Sequence, residues 1–97
     1  MIQSFHDAGT EDLFNAKSTK AARKLLPTQL WRVARRRLEQ LDSAGALRDV
    51  RVPPGNRLEA LEGSRKGQHS VRINDQFRVC FVWTDNGPAR VQVTDYH

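Results

Sequence analysis

The reactive side chains of this sequence concentrate in its second half, within two runs of alternating apolar residues and at its last three positions. Arg72 and Arg78 stand within those runs, and the sequence finishes with Asp95, Tyr96 and His97. Cleavage of RNA by its own 2′-hydroxyl needs a base, an acid and cations that stabilise the transition state. Histidine titrates near neutral pH, tyrosine can donate a proton, and arginine offers paired donors to phosphate. These five residues therefore supply every group type that this reaction requires.

A predicted hairpin decides whether the two arginines share a sheet face. Its strands each have one apolar face, formed by Val71 and Ile73 in the first and by Phe77, Val79, Phe81 and Trp83 in the second. A three-residue loop, 74–76, sets Val71 opposite Val79, whereas a two-residue turn would oppose the apolar faces. We therefore predict the longer loop, which also sets Arg72 opposite Arg78. Because like charges repel across a strand pair, we expect an anionic group beside them.

The last strand is expected to extend the arginine face. The segment TDNGP predicts a turn in which Gly87 takes positive φ and Pro88 lies outside the ladder. Matching the two valines of VQV to the core face places Arg78 beside Thr94 or Tyr96. Asp95 and His97 have the opposite parity and would face the core under strict alternation. Because strand ends often depart from strict alternation, the direction of these two side chains stays open.

Metal chemistry is not indicated. His6, His69 and His97 are widely separated, and none has a cysteine or carboxylate partner at metal-ligand spacing. We expect no zinc site and no cofactor, and the single Cys80 excludes an internal disulfide. His69 is expected to be a sheet or groove residue rather than a catalyst.

Composition predicts one domain, 1–97, with a polyanionic partner. The net charge is +5, the pI is about 10.1 and the mean hydropathy is -0.65. Eight basic residues and no acid occur between Lys17 and Arg37, which indicates either a solvated helix face or a surface for nucleic acid or an acidic partner protein. Because the sequence shows neither a secretory leader nor an apolar run of roughly 18 residues, we expect no membrane segment and a cytoplasmic location.

The first half predicts the helices of an α+β fold. MIQSF is expected to form a short opening strand, Thr10 to cap a first helix and Ser18 to restart it. Pro27 suits the first turn of a longer helix that runs to about Ala44, with Gly45 as its stop. An apolar stripe predicts the buried face of that helix: Leu30, Ala34, Leu38 and Leu41. The stretch VRVPPGNRL is expected to be irregular. We expect the helices to pack on one face of a small, mainly antiparallel sheet.

Several segments resemble one toxin family. The opening MIQSF, the segment RVPPGNRLEALEGSRKGQHSVRINDQFRVCFVW and the ending DYH are similar to the HigB-type toxins of the RelE superfamily, also called plasmid maintenance killer proteins, and in particular to the GraT-like branch. The resemblance covers essentially the whole chain. It implies a RelE-like, microbial-ribonuclease-like fold and a toxin that cuts mRNA in the A site of the 70S ribosome. It also implies a cognate HigA-type helix-turn-helix antitoxin, through which alone the toxin would reach operator DNA.

The resemblance also implies residue roles. It makes Arg78 of NDQFRVCF the phosphate or transition-state contact and gives catalytic roles to the terminal trio, Asp95, Tyr96 and His97. It maps the arginine of GSRKG onto Arg65, and we expect Arg65, Lys66 and Arg72 to bind the RNA. On the residues alone, the first two could equally be turn residues and Arg72 an exposed sheet residue.

Two positions depart from some relatives. Glu59 and Glu62 stand where those relatives have a histidine and a lysine. Either Glu59 is then the catalytic base, or catalysis depends more heavily on His97 and Tyr96. Two further functions stay open: a noncatalytic module that binds RNA or the ribosome, and a transcriptional co-regulator that binds an antitoxin.

Overall fold

The computed structural model describes residues 1–95, and the terminal pair Tyr96 and His97 lies outside the described residues. Within that part of the chain, three α-helices precede an antiparallel sheet of strand order β1-β2-β3-β4. The elements are α1 Ala8–Phe14, α2 Lys20–Leu25, α3 Trp31–Ser43, β1 Glu59–Ala60, β2 His69–Arg72, β3 Phe77–Thr84 and β4 Gly87–Asp95. No helix among residues 1–95 is long and apolar enough to cross a bilayer.

The helices cover one face of the sheet, as the sequence predicts. Buried apolar side chains from the helices meet those of the strands in one cluster, which includes Leu13, Leu38, Leu41, Val71, Val79, Phe81, Val91 and Val93. Burying each such side chain stabilises the fold by about 1.5–3 kcal/mol before entropy is counted. The α+β prediction is confirmed.

The longest helix follows its predicted stripe. After a 3₁₀ turn, Thr28–Leu30, α3 runs from Trp31 to Ser43 and buries Ala34, Leu38 and Leu41 completely. The Trp31 indole donates to the carbonyl of Leu26 at 2.8 Å, which ties the start of α3 to the end of α2. Pro27 precedes the 3₁₀ turn rather than the α-helix itself.

The two short helices are capped by different residues from those predicted. Asp7 caps α1 by accepting from the amide of Thr10 at 2.7 Å, and Thr19 rather than Ser18 caps α2. The prediction that Thr10 is a cap is wrong because this residue lies within α1. Its buried hydroxyl instead accepts from the amide of Val93 at 3.0 Å and joins α1 to β4.

The predicted opening strand is reduced to one parallel bridge, between Phe5 and Val91. The amides of Gln3 and His6 nevertheless donate to carbonyls of β4, at 2.8 and 2.9 Å. The N-terminal segment therefore lies along the outer edge of β4.

The hairpin of β2 and β3 has the predicted register. Val71 pairs with Val79 and Arg72 with Arg78. The side chain of Asn74 closes the three-residue loop, because its oxygen accepts from the amides of Gln76 and Phe77 at 2.9 and 2.7 Å.

The turn between β3 and β4 differs in one respect from the prediction. Gly87 has φ +127° as expected, and a Cβ there would lie 2.4 Å from the carbonyl oxygen of Met1. Pro88, however, pairs with Trp83 inside the sheet, so its predicted position outside the ladder is wrong. Proline lacks an amide donor but keeps an acceptor, and the Pro88 carbonyl accepts from Gln3.

A bulge interrupts β4. Cys80 pairs with Gln92 and Val82 with Ala89, so β4 has one residue more than β3 over this stretch. Arg90, within the bulge, has φ +52°, a left-handed conformation that glycine adopts far more readily.

The stretch from Val50 to Leu58 is irregular, as predicted. It holds the end of one 3₁₀ turn, Leu47–Arg51, and a second, Pro54–Asn56. The buried Asn56 amide donates to the Val50 carbonyl at 3.0 Å and so fixes the stretch that leads to β1.

Candidate active site

The face of the sheet opposite the helices carries two rows of polar and charged side chains. Strand pairing aligns Arg72, Arg78 and Thr94 in one row. The next row, two residues along each strand, aligns Ser70, Cys80 and Gln92, and Glu59 of β1 pairs with Ser70 at its end. The predicted arginine pair is therefore confirmed on a single face.

Arg78 is more enclosed than Arg72, its partner across the strand pair. Its side chain is 17% exposed, and its Nη1 lies 3.5 Å from Oε1 of Glu59, which is 51% exposed. That nitrogen is buried and has no hydrogen-bond partner within residues 1–95. A buried donor without a partner is costly, so this nitrogen is ready to donate to an anion.

Arg72 has its own acidic neighbour. It forms an ion pair with Asp75, a highly exposed residue of the hairpin loop. The backbone carbonyl of Arg72 accepts from the guanidinium of Arg37 at 2.9 Å, which ties the end of β2 to α3. The anionic groups expected beside the arginine pair thus come in part from the chain itself, as Glu59 and Asp75.

Arg65 reaches the second row, whereas Lys66 does not. Arg65 ends a 3₁₀ turn, Gly63–Arg65, and its Nη1 donates to the side-chain oxygens of Gln68 and Gln92 at 3.2 and 3.3 Å. Lys66 is exposed, and among residues 1–95 no hydrogen bond or ion pair joins its side chain to either row.

Cys80 lies beneath the site, between two cations. Burial raises the pKa of its thiol, while the nearby charges of Arg65 and Arg78 act in the opposite direction. Sequence reasoning did not assign Cys80 to the site, although the alternation that places Arg78 on this face also places Cys80 there. Gln92 was not predicted as a site residue either. Gln92 is two residues before Thr94 in the same strand, so strand alternation predicts that it lies on the same face.

Asp95 lies at the end of β4, where strand alternation assigns it to the face of the sheet that carries the core residues. It pairs with Phe77, and its carboxylate accepts from the Gln76 amide at 2.8 Å. An open groove of about 490 Å³ lies beside it, lined in part by Arg23 and Lys24 of α2. The predicted site residues Tyr96 and His97 lie outside the described residues.

His69 belongs to the core side of the sheet. It pairs with Phe81, and the two rings stack with centroids 6.1 Å apart. This position agrees with the prediction that His69 is a sheet residue.

The basic run from Lys17 to Arg37 is only partly a free surface. The Arg35 guanidinium donates to the Leu13 carbonyl at 3.2 Å, and Arg37 holds the end of β2. Burial and the neighbouring Arg36 lower the pKa of Arg37. Arg32 and Arg36 remain exposed on α3.

The sequence of this chain is similar to those of known proteins. Residues 3–97 match the profile of the HigB-like toxin family, described as RelE-like toxins of the type II toxin-antitoxin system HigB. Toxin HigB-1 of Vibrio cholerae is 48% identical over 62 residues, and an uncharacterized protein of Haemophilus influenzae is 33% identical over 61. These alignments cover 64% and 63% of this chain and 65% and 60% of the two relatives, which is less than two thirds of each.

The fold has a counterpart among solved structures. A chain of the YoeB-YefM complex from Staphylococcus aureus superposes with a TM-score of 0.60 at 18% identity, covering 100% of this chain and 98% of that one. This similarity shows the fold alone. Because the family profile matches almost the entire sequence, the resemblance seen in its motifs is confirmed, and the chain belongs to the HigB-like family of RelE-like toxins.

Proposed function

We propose that this protein is the toxin of a type II toxin-antitoxin module and that it cleaves mRNA on the ribosome. The observation that carries the proposal is the pairing of Arg72 with Arg78 on the sheet face opposite the helices, with a buried Arg78 nitrogen that has no hydrogen-bond partner in residues 1–95. Such a donor suits the charge that develops on a phosphate during transphosphorylation.

The reaction would proceed without a metal ion. The RNA 2′-oxygen attacks phosphorus, the bond to the 5′-oxygen breaks, and a cyclic phosphate and a free 5′-hydroxyl result. One group takes the proton of the 2′-hydroxyl and another protonates the leaving 5′-oxygen. We assign these transfers to His97 and Tyr96, with Asp95 as their neighbour in the chain, and leave their order open.

The cations would act on the phosphates. Arg78 would contact the scissile phosphate and Arg72 would share its negative charge, while Arg65 and Lys66 would bind the RNA backbone further along. Glu59 is the alternative base. Its ion pair with Arg78 favours instead a role as a counterion that an incoming phosphate displaces.

The partners follow from the family. We propose a cognate helix-turn-helix antitoxin of the HigA type, mRNA in the A site of the 70S ribosome as substrate, and operator DNA bound only through the antitoxin, all in the cytoplasm. The structural counterpart from Staphylococcus aureus is a complex of YoeB with YefM, which supports a protein partner for this chain as well. Copurification with the product of an adjacent reading frame tests it.

Primer extension on a reporter mRNA translated in the presence of the protein tests the activity. We expect discrete cuts that require ribosomes. The rate of cleavage should fall at least 100-fold in Arg78→Ala and His97→Ala, because loss of a charge-stabilising or proton-transfer group typically slows a reaction by roughly 10²-fold or more. Arg48→Ala, which removes an exposed arginine after α3, is the matched control and should cut normally. Inhibited translation with intact mRNA would instead favour the noncatalytic binding module.

A further inference from the structure

A second groove opens beside the arginine rows, at the bulged part of β4. Its volume is about 370 Å³, within the range of small-ligand sites, and its lining is mainly polar: His6, Ser64, Arg65, Gln68, Arg90 and Gln92. Gln92 belongs to the row next to Arg78, and Arg65 donates to it. The groove is therefore continuous with the candidate active site.

The bulge places an arginine at this groove where a glycine would be easier to accommodate. Arg90 has φ +52°, is exposed, and donates its amide to the Ser4 hydroxyl at 2.9 Å. Left-handed backbone in a residue other than glycine carries a conformational cost, and such cost concentrates at functional sites. Within residues 1–95 the guanidinium of Arg90 makes no hydrogen bond or ion pair, so no such contact of the fold depends on its charge.

The two glutamines are oriented by Arg65. Arg65 Nη1 donates a hydrogen bond to the side-chain oxygen of each glutamine. The side-chain nitrogens of Gln68 and Gln92 are therefore directed away from that guanidinium. A side-chain amide held in one orientation can form selective hydrogen bonds to the polar edge of a nucleobase. A base that is not part of a duplex exposes that edge. The groove therefore combines cations for a phosphate with oriented amides for a base.

We propose that this groove is a subsite for one nucleotide of single-stranded RNA flanking the scissile phosphate. Arg90, with His6 beside it, holds the phosphate of that nucleotide, and Gln68 and Gln92 contact its base. The assignment rests on the proposed nuclease function and deepens it, because it makes Arg90 a determinant of which positions are cut.

The first test measures binding apart from cleavage. A 2′-deoxy trinucleotide, which lacks the attacking hydroxyl, is titrated into the isotope-labelled protein and followed by NMR. We expect the amide signals of His6, Arg90 and Gln92 to shift with a common saturation curve. Signals that stay unmoved at millimolar trinucleotide, or that shift only elsewhere, would overturn the subsite.

The second test uses glycine substitutions at two left-handed positions. Arg90→Gly removes the guanidinium while relieving the backbone, and Ala16→Gly, at φ +60° after α1, gives the same relief away from β4. Both variants should melt no lower than the native protein. Arg90→Gly alone should slow mRNA cleavage about tenfold and redistribute the cut positions, as expected for a lost charged contact, and Arg90→Lys should restore much of the rate.

The outcomes separate the subsite from the function on which it rests. If the native protein cuts mRNA and Arg90→Gly matches Ala16→Gly in rate and cut positions, the subsite is wrong and the nuclease stands. If the native protein cuts nothing while the trinucleotide still shifts the groove signals, the nuclease proposal fails and RNA binding in the groove stands.

Discussion

At the level of single residues, the environment of Arg78 decides how the site works. Its Nη1 lies 3.5 Å from the half-exposed carboxylate of Glu59, and this buried nitrogen has no hydrogen-bond partner in the described chain. The carboxylate is half exposed and, at 3.5 Å, makes no hydrogen bond to that nitrogen, so a phosphate can replace it at small cost.

Neutralising Glu59 should therefore raise activity. Glu59→Gln keeps the shape of the side chain and frees Arg78, and we expect mRNA cleavage at subsaturating ribosome concentration to rise about two- to fivefold. Glu62→Gln, an exposed carboxylate of the same segment, changes the net charge equally and should have little effect. A loss of cleavage in Glu59→Gln would identify Glu59 as the general base.

At the level of elements, the contact between α1 and β4 holds the last strand in place. The Thr10 hydroxyl accepts from the Val93 amide, and this bond is buried. Val93 is one residue from Thr94 in the arginine row, so a shift of β4 against α1 would displace that row.

Removing this hydroxyl should destabilise the fold. Thr10→Val keeps the volume but leaves the Val93 amide buried without a partner, and we expect the free energy of unfolding to fall by about 1–3 kcal/mol. Thr10→Ser keeps the acceptor and should lose less. Urea denaturation followed by circular dichroism measures both, and equal stability of the two variants would contradict the role of the hydroxyl.

The sequence predicts some of these elements better than others. The register of the β2–β3 hairpin follows from alternation, because only one loop length brings Val71 opposite Val79. The cap of α1 does not follow, since Asp7 and Thr10 are both good cap residues and burial against β4 selects between them. The bulge at Arg90 lies where β4 makes backbone hydrogen bonds with the N-terminal segment, and no local residue pattern predicts it.

At the level of the whole molecule, the two faces of the sheet carry different kinds of side chain. The helices supply the core and, through Arg37, a support for the end of β2, while the opposite face presents the arginines. With a net charge of +5, the protein is expected to bind RNA with a strong dependence on salt.

The slope of that dependence counts phosphate contacts. If Arg72 binds one phosphate, Arg72→Ala should reduce the slope of log affinity against log salt by about 1. Arg48→Ala removes the same charge from an exposed turn and should leave the slope nearly unchanged. Ribosome binding measured from 50 to 200 mM salt, roughly the range over which such slopes are resolved, checks both. Equal slopes in the two variants would exclude a phosphate contact at Arg72.

The acidic neighbours of the two arginines also bear on where the protein acts. Glu59 and Asp75 compete with any phosphate for Arg78 and Arg72, so a dilute, freely diffusing RNA gains little by binding. A substrate that is held in place by a larger assembly is present at a high effective concentration and overcomes this competition. Under the proposed function, these two carboxylates would disfavour binding of free RNA and favour a strand that the ribosome has already positioned.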